Sequence, residues 1–375
     1  MLCEYLKAGF PALYVVTPEA VRAEKVLPCG ETTKAWSFFA WDCARGLREA
    51  GKQHVVTEMP DPVEALRWLS EVGDTVLLMH NLHLFLDSPD LIQSIQNGIE
   101  LWKMRGNCLV IISPRFKLCP ELSPLFTVVD LPLPEVDALY ALQCELGESV
   151  HVKPNRKAAR LARGLTEYEA ECAYALSLVK NRYFSCKVVS EVKSQLIKKS
   201  GLLEVWSPEH LSHVGGLKQL KDYIRSRMKA FLPEGEGLPK PRGILLVGIP
   251  GTGKSLSCKA AASILGWPLI RLDIGALKGS LVGESEQRIR QATQIITSFG
   301  ECVLWIDELE KALSGHKNSG LTDGGVTSGM LSHFLTWMQE HKAPVFVMAT
   351  ANDISSLPPE TIRAGRFDAV FMVDL

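Results

Sequence analysis

The chain has 375 residues, 46% hydrophobic and 22% charged, which excludes a disordered or fibrous polymer and is long enough for two or three domains. Its formal net charge of −1 gives no global reason to expect nucleic acid or an anionic membrane as partner. Apolar runs stop at about eight residues, too short for a membrane span; the start lacks a secretory-signal pattern, and ten cysteines without a C-x-x-C pair suggest reduced thiols.

In chain order, Ala12–Thr17 reads as a buried strand, and Pro18-Glu19 opens a helix near Ala20–Val26. Thr75–Met79 and Cys108–Ser113 are two more buried strands, and Val128–Leu131 a short fourth. Helical patterns at Pro62–Leu69 and Leu91–Met104 lie between them, so a three-layer α/β domain with a mostly parallel sheet is expected over 1–135. The layout resembles a nucleotide-binding domain without its chemistry. Thr17-Pro18-Glu19-Ala20 stands where a phosphate loop would follow the first strand, and His80-Asn81-Leu82-His83 where acids would follow the second. With no third ligand, His80 and His83 read as solvated loop residues rather than a metal pair.

From 136 to 205 the pattern is helical: Arg156–Leu161, a helix leading into Ala175-Leu176, and Val188–Lys199, with capping-box spacing at Thr166 and Glu169. Lysines 187, 193, 198 and 199 read as a solvated helix face, because no aromatics interleave with them in the sequence.

The third region, 206–375, carries the chemistry. A turn-rich boundary at Trp206–Gly216 leads to a helix ending near Phe231, and a Gly/Pro-rich loop then delivers the strand Arg242–Val247. Next comes Gly248-Ile-Pro-Gly-Thr-Gly253-Lys254-Ser255, a G-x-x-x-x-G-K-S pattern between a buried strand and a helix closed by Gly266. Its glycines let backbone N–H groups converge on phosphate oxygens at a helix start. Gly248, Pro250, Gly251, Thr252, Gly253, Lys254, Ser255 and Leu256 are therefore the expected nucleotide contacts, with the Ser255 hydroxyl on Mg²⁺. Trp267–Asp273 forms a second strand, and Gly283-Glu284-Ser285-Glu286 caps a helix running to Ser298. The strand Glu301–Ile306 ends in Asp307 and Glu308, placing an Mg²⁺-binding acid and a general base at the sheet's carboxyl edge. Ser314–Gly325 reads as a polar loop, Met330–Glu340 as a helix, and Val345–Thr350 as a strand ending at Asn352, whose amide could orient the lytic water. Arg363 and Arg366 follow on a short helix, and a last strand begins at Ala369.

These motifs, in this order, resemble the large subdomain of an AAA-type ATPase over roughly 206–375. They include Gly215-Gly216-Leu217, Val282–Glu286, Ala351-Asn352-Asp353 and Arg363-Ala364-Gly365-Arg366-Phe367-Asp368. The resemblance implies that Asn352 is the first sensor, that Arg363 and Arg366 reach a neighbouring subunit's nucleotide, and that Val214 and Gly215 lie near the adenine. Pro11–Thr17, Leu131–Glu135, Gly164–Ala170, Lys199–Glu204 and Leu335–Glu340 are similar to a narrower group, the AAA proteins of cyanobacteria and algal plastids with a degenerate ATPase domain before the active one. The implied fold is two P-loop-NTPase-like three-layer α/β/α domains, the first degenerate, joined by a helical segment. The implied activity is Mg²⁺-dependent ATP hydrolysis in a homo-oligomeric ring, a hexamer, acting on a protein client in the cytoplasm or plastid stroma, with neither nucleic acid nor membrane as partner.

Three departures qualify this. Leu281 replaces an aromatic of the central-pore loop, Gly329 replaces an arginine of subunit contacts, and the sequence given stops at Leu375, where the family's helical lid is expected to begin. A lidless chain is expected to bind ATP weakly, stay largely monomeric and hydrolyse slowly. An ATP-gated scaffold is the first rival reading and a DNA-remodelling ATPase the second; the near-neutral charge argues against the latter.

Overall fold

The computed structural model describes residues 2–28, 35–52, 54–199, 201–206, 215–231, 235, 237–273, 277, 284–310, 323–357, 361 and 365–374. Two compact units emerge, Met1–Pro132 and Leu133–Leu375.

The first unit runs α1 (Leu2–Lys7), β1 (Ala12–Val16), α2 (Ala20–Val26), β2 (Ser37–Asp42), β3 (Gly46–Glu49), β4 (Val55–Thr57), α3 (Pro62–Glu71), β5 (Thr75–His80), α4 (Pro89–Met104), β6 (Cys108–Ser113) and β7 (Thr127–Asp130). Its sheet has the order β4-β3-β2-β5-β6-β1-β7. Successive residues of the central strands point to opposite faces, and both faces are covered. Tyr14, Leu77, Met79 and Ile111 pack with Leu66, Leu69 and Ile95 of α3 and α4. Leu13, Val15, Leu78 and Val110 pack with Leu2, Leu6 and Ala23 of α1 and α2. Asp61 caps α3 through the Val63 N–H, with Pro62 at its first position.

Strands β2 to β4 were not foreseen from the sequence. β2 joins β5 in parallel, whereas β3 and β4 extend the edge as antiparallel strands. Their aromatic, charged and glycine residues give no clean apolar run, so only pairing with the sheet defines them.

The second unit opens with α5 (Val136–Val150), α6 (Arg156–Leu161), α7 (Glu167–Asn181) and α8 (Cys186–Lys199). These share a core built on Leu139, Ala159, Ala173, Tyr174, Phe184 and Val189. The capping box on α7 is formed as its spacing required. There follow β8 (Leu203–Trp206), α9 (Lys218–Met228), β9 (Gly243–Val247), α10 (Lys254–Leu265), β10 (Leu269–Leu272), α11 (Glu284–Phe299), β11 (Cys302–Ile306), α12 (Asp323–Glu340), β12 (Val345–Ala351) and β13 (Ala369–Met372). α12 begins earlier than the sequence pattern suggested, so Asp323–Gly325 belongs to a helix and not to the preceding loop.

The sheet order is β13-β9-β12-β11-β10-β8, with β8 antiparallel on β10 and the rest parallel. The parallel series β7-β1-β6-β5-β2 of the first unit repeats the series β13-β9-β12-β11-β10 of the second. Both are three-layer α/β/α arrangements of the P-loop NTPase type. In the second, α11 and α12 cover one face through Ile289, Ile296, Phe334 and Met338. On the other face α9 and α10 pack through Leu220, Ile224, Cys258 and Ala261.

The lysines of α8 divide. Lys187, Lys198 and Lys199 are exposed, as expected, but Lys193 is buried. Its ammonium donates to the carbonyls of Leu161, Arg163 and Phe299 at 3.0, 2.5 and 2.6 Å and lies over the Phe299 ring. Burial pushes its pKa down to about 7. These carbonyls sit at the ends of α6 and α11, where helices leave oxygens without intrahelical partners. Lys193 therefore fastens the helical segment to the sheet domain and is no part of a solvated face.

Candidate functional site

The glycine loop spans the gap between β9 and α10 at the carboxyl edge of the sheet. Gly251 and Gly253 have φ of +92° and +86°, conformations that L side chains rarely adopt, and a Cβ on either would meet nothing within 4 Å. The loop is thus shaped by glycine around open space. Gly248 is required for a different reason, since a Cβ there would lie 2.1 Å from the Val373 carbonyl. Thr252 Oγ1 donates to the Ile249 carbonyl at 2.9 Å and pins the loop. Lys254 is buried, and its Nζ donates to the carbonyls of Gly248 and Ile249 at 2.6 and 2.8 Å. Pro250 on the loop and Ser255 and Leu256 in the first turn of α10 are exposed.

β12 lies between β9 and β11, so the acids stand two strands from the loop, roughly 10 Å laterally. Thr350, at the end of β12, organises them: its Oγ1 donates to Asp307 Oδ1 at 2.7 Å and accepts the Glu308 N–H at 3.0 Å. Glu308 has a φ of +49°, a strained position for a residue with a side chain, and the Thr350 bond holds it there. Asn352 donates both its backbone N–H and its side-chain amide to Glu310 Oε1, at 3.1 and 2.8 Å. Arg271 on β10 comes within 4.0 Å of Asp307 Oδ2 and 3.4 Å of Glu204.

Loop, acids and Asn352 therefore gather at one edge. Arg366 does not join them: half-buried, it precedes β13, at the amino edge, where Asp368 accepts the Arg242 and Gly243 N–H groups at 2.6 and 2.9 Å. A strand of five residues separates that edge from the loop by roughly 16 Å. Gly215, exposed, stands just ahead of α9, while Val214, Arg363 and Leu281 lie outside the described residues. Thr350, Glu310 and Arg271 escaped the sequence reading. Glu310, two residues past the base, offered a faint signal; Thr350 and Arg271 sit inside apolar strands and gave none.

The equivalent edge of the first unit carries an ion-paired cluster instead. Registers align Val16 with Val247 and His80 with Asp307. Only Thr17, Pro18 and Glu19 separate β1 from α2, against residues 248–253 between β9 and α10. Glu24 of α2 reaches the end of β5: its carboxylate stands 2.9 Å from His80 Nε2, is paired in bidentate fashion with buried Arg48, and accepts the Gly51 N–H at 3.1 Å. Burial alone would raise the Glu24 carboxyl, but the bonds from Arg48 and His80 outweigh it and hold it well below the usual carboxylate range. The expectation of solvated histidines is thus corrected. His80 is buried against Glu24, and His83 is buried with Nδ1 2.8 Å from Ser113 Oγ. Position 81 still keeps a φ of +55°, as its counterpart Glu308 does, although Asn81 carries no base.

Comparison with known proteins matches two stretches of the chain to separate family models. The model of the ATPase family associated with various cellular activities (AAA) matches residues 244–375. That of the SpoVK-like AAA ATPase, N-terminal domain, matches residues 1–131. An uncharacterized AAA domain-containing protein ycf46 of Guillardia theta is 34% identical over 384 residues, covering 99% of this chain and 75% of that one. The protein of the same name from Pyropia yezoensis is 34% identical over 394 residues, covering 99% and 77%. Peroxisomal ATPase pex6 of Schizosaccharomyces pombe is 32% identical over 163 residues, covering 41% of this chain and 17% of its own. Among the described residues, no helix is long and apolar enough to cross a membrane.

Proposed function

This chain belongs to the AAA ATPase family, and from that premise we propose that it hydrolyses ATP with Mg²⁺ and couples the reaction to conformational change in an oligomeric ring, a hexamer. The observation that carries this reading is the gathering of the glycine loop, Asp307, Glu308 and Asn352 at one edge of β9, β12 and β11. The oxygen donors there suit a hard divalent cation, since the Ser255 hydroxyl and the Asp307 carboxylate are the ligand types Mg²⁺ prefers. When bound, the metal neutralises charge on the phosphates.

The rest is done by the chain's own groups. Lys254 exchanges two loop carbonyls for phosphate oxygens. Gly248 to Gly253 turn N–H groups on the same oxygens, and Leu256 with Gly215 and Val214 borders the nucleoside. Glu308 takes a proton from the attacking water, which Asn352 orients. Arg363 and Arg366 serve a neighbouring subunit's site, a role supported for Arg366 by its position at the edge opposite its own loop.

The test separates binding from turnover. Glu308→Gln should leave labelled-ATP affinity within about threefold while lowering turnover by about two to four decades, whereas Lys254→Ala should weaken binding itself. A Gln variant that turns over like the parent removes Glu308 as the base. Arg366→Ala should abolish any rise of specific activity with protein concentration. A second reading, an ATP-gated scaffold with slow hydrolysis and no polypeptide threading, is favoured by Leu281 in place of a pore aromatic. An ATPase rate unmoved by unfolded protein supports it.

A further inference from the structure

We propose that a groove between α8 and the sheet domain of the second unit binds an extended acidic peptide segment of a partner protein. The groove holds about 870 Å³, a volume in the range of ligand-binding clefts, and is bounded by one stripe of α8, the end of β8 and the last turn of α10.

The stripe is Lys187, Ser190, Ser194 and Lys198, spaced three to four residues apart and so on one helix face. The opposite face, with Val189, Lys193 and Ile197, is buried and fixes how α8 presents this one. Eleven residues separate Lys187 from Lys198, placing the two cations roughly 16 Å apart along the groove. Both are exposed, and among the described residues neither has an ion-pair partner.

The facing wall is aromatic and rigid. Trp206 meets Trp305 edge-on at 5.3 Å, and Trp267 meets Phe231 at 4.8 Å. Lys259 and Arg271 lie over the Trp206 ring and add positive charge. Glu204, the acid beside them, is already engaged with Trp206 Nε1 and Arg271. The lysines therefore do have aromatics beside them, brought from elsewhere in the chain by the fold.

This chemistry selects the occupant. Cations at both ends call for carboxylates about five extended residues apart, at roughly 3.3 Å each. Indoles between them call for an apolar side chain, and the Ser190 and Ser194 hydroxyls can serve a peptide backbone. The Ala262 carbonyl on this wall already accepts the Gly266 and Trp267 N–H groups, so charge and the indoles select the occupant. With a formal net charge of −1 the chain has no broad positive field to hold a phosphate backbone, whereas a short acidic peptide fits the local cations. Arg271 reaches both Trp206 and Asp307, but the residues varied below lie on α8, outside the nucleotide chemistry.

The probe is a fluorescein-labelled Glu-Glu-Leu-Phe-Leu-Glu-Glu heptapeptide, with Lys-Lys-Leu-Phe-Leu-Lys-Lys as control, titrated by anisotropy against the full chain. Saturable binding of the acidic peptide is expected, at least about tenfold tighter than the control and weakening with salt. The double charge reversal Lys187→Glu/Lys198→Glu should cost at least tenfold in affinity, with the circular dichroism spectrum unchanged. Ser190→Trp, which fills the groove without altering charge, should do the same. No saturable binding, no preference for the acidic peptide, or unchanged affinity in both variants overturns the proposal. So does a single-stranded oligonucleotide that binds more tightly than the peptide with the same dependence on the variants.

Discussion

Single side chains around the site carry separable effects. Among the described residues Glu310 acts through Asn352, accepting its backbone N–H and its side-chain amide on one oxygen. Such bonds to a charged acceptor contribute about 1.5–3 kcal/mol, so Glu310→Ala should lower kcat by about tenfold or more while leaving KM nearly unchanged. An unaltered kcat would show that Asn352 is positioned without it. His341 behaves differently. It stacks on Trp337 at 4.5 Å, and burial, helped by Arg242, pushes its pKa down to about 4. The unfolded chain keeps the ordinary value near 6.5, so between pH 4 and 6.5 it binds more protons than the native state. Stability therefore rises with pH across that window and is lost on acidification, by on the order of 2 kcal/mol. His341→Phe keeps the stack and removes the titration. The difference in urea stability between pH 7 and 4.5 should narrow in that variant, and an unchanged difference would refute the assignment.

Among the elements, the junction between the helical segment and α11 is tight. Gly164, before α7, has a φ of +88°, and a Cβ there would fall 1.7 Å from the Ser298 carbonyl. Gly266 after α10 has a φ of +66° with nothing within 4 Å. Both alanine variants carry the backbone cost, about 1 kcal/mol. Gly164→Ala must also push two segments apart, so its loss should exceed that of Gly266→Ala by about 2 kcal/mol or more. Equal melting temperatures would mean that the junction yields freely.

The elements also divide by how well the sequence reveals them. β1, β5, β6, β9, β11 and β12 are continuous apolar runs buried on both faces, a pattern legible without tertiary information. The glycine loop and its acids are equally legible, because their chemistry tolerates few residue types. β2 to β4, Lys193 and His80 were not: each takes its environment from groups remote in sequence, such as the Phe299 carbonyl on Lys193 and the Glu24 carboxylate beside His80. No local pattern encodes such a partner.

At the scale of the whole chain, two units share a strand order and differ in chemistry, so calorimetric titration should give one nucleotide site per chain. Lys254→Ala should remove it, and two sites in the parent would contradict the division. The short connection after β1 has a consequence for any attempt at repair. Grafting a six-residue glycine loop between Val16 and Ala20 would set phosphates facing the Glu24 carboxylate, so the graft alone should bind no ATP. Neutralising Glu24 first would leave buried Arg48 with only the Asp42 carboxylate, 3.8 Å away, a loss of up to about 3–5 kcal/mol. Either step alone is unproductive, so a nucleotide site there would require both changes together. Where the carboxy-terminal unit keeps an open loop, the amino-terminal unit holds a fixed ion pair that no ligand switches.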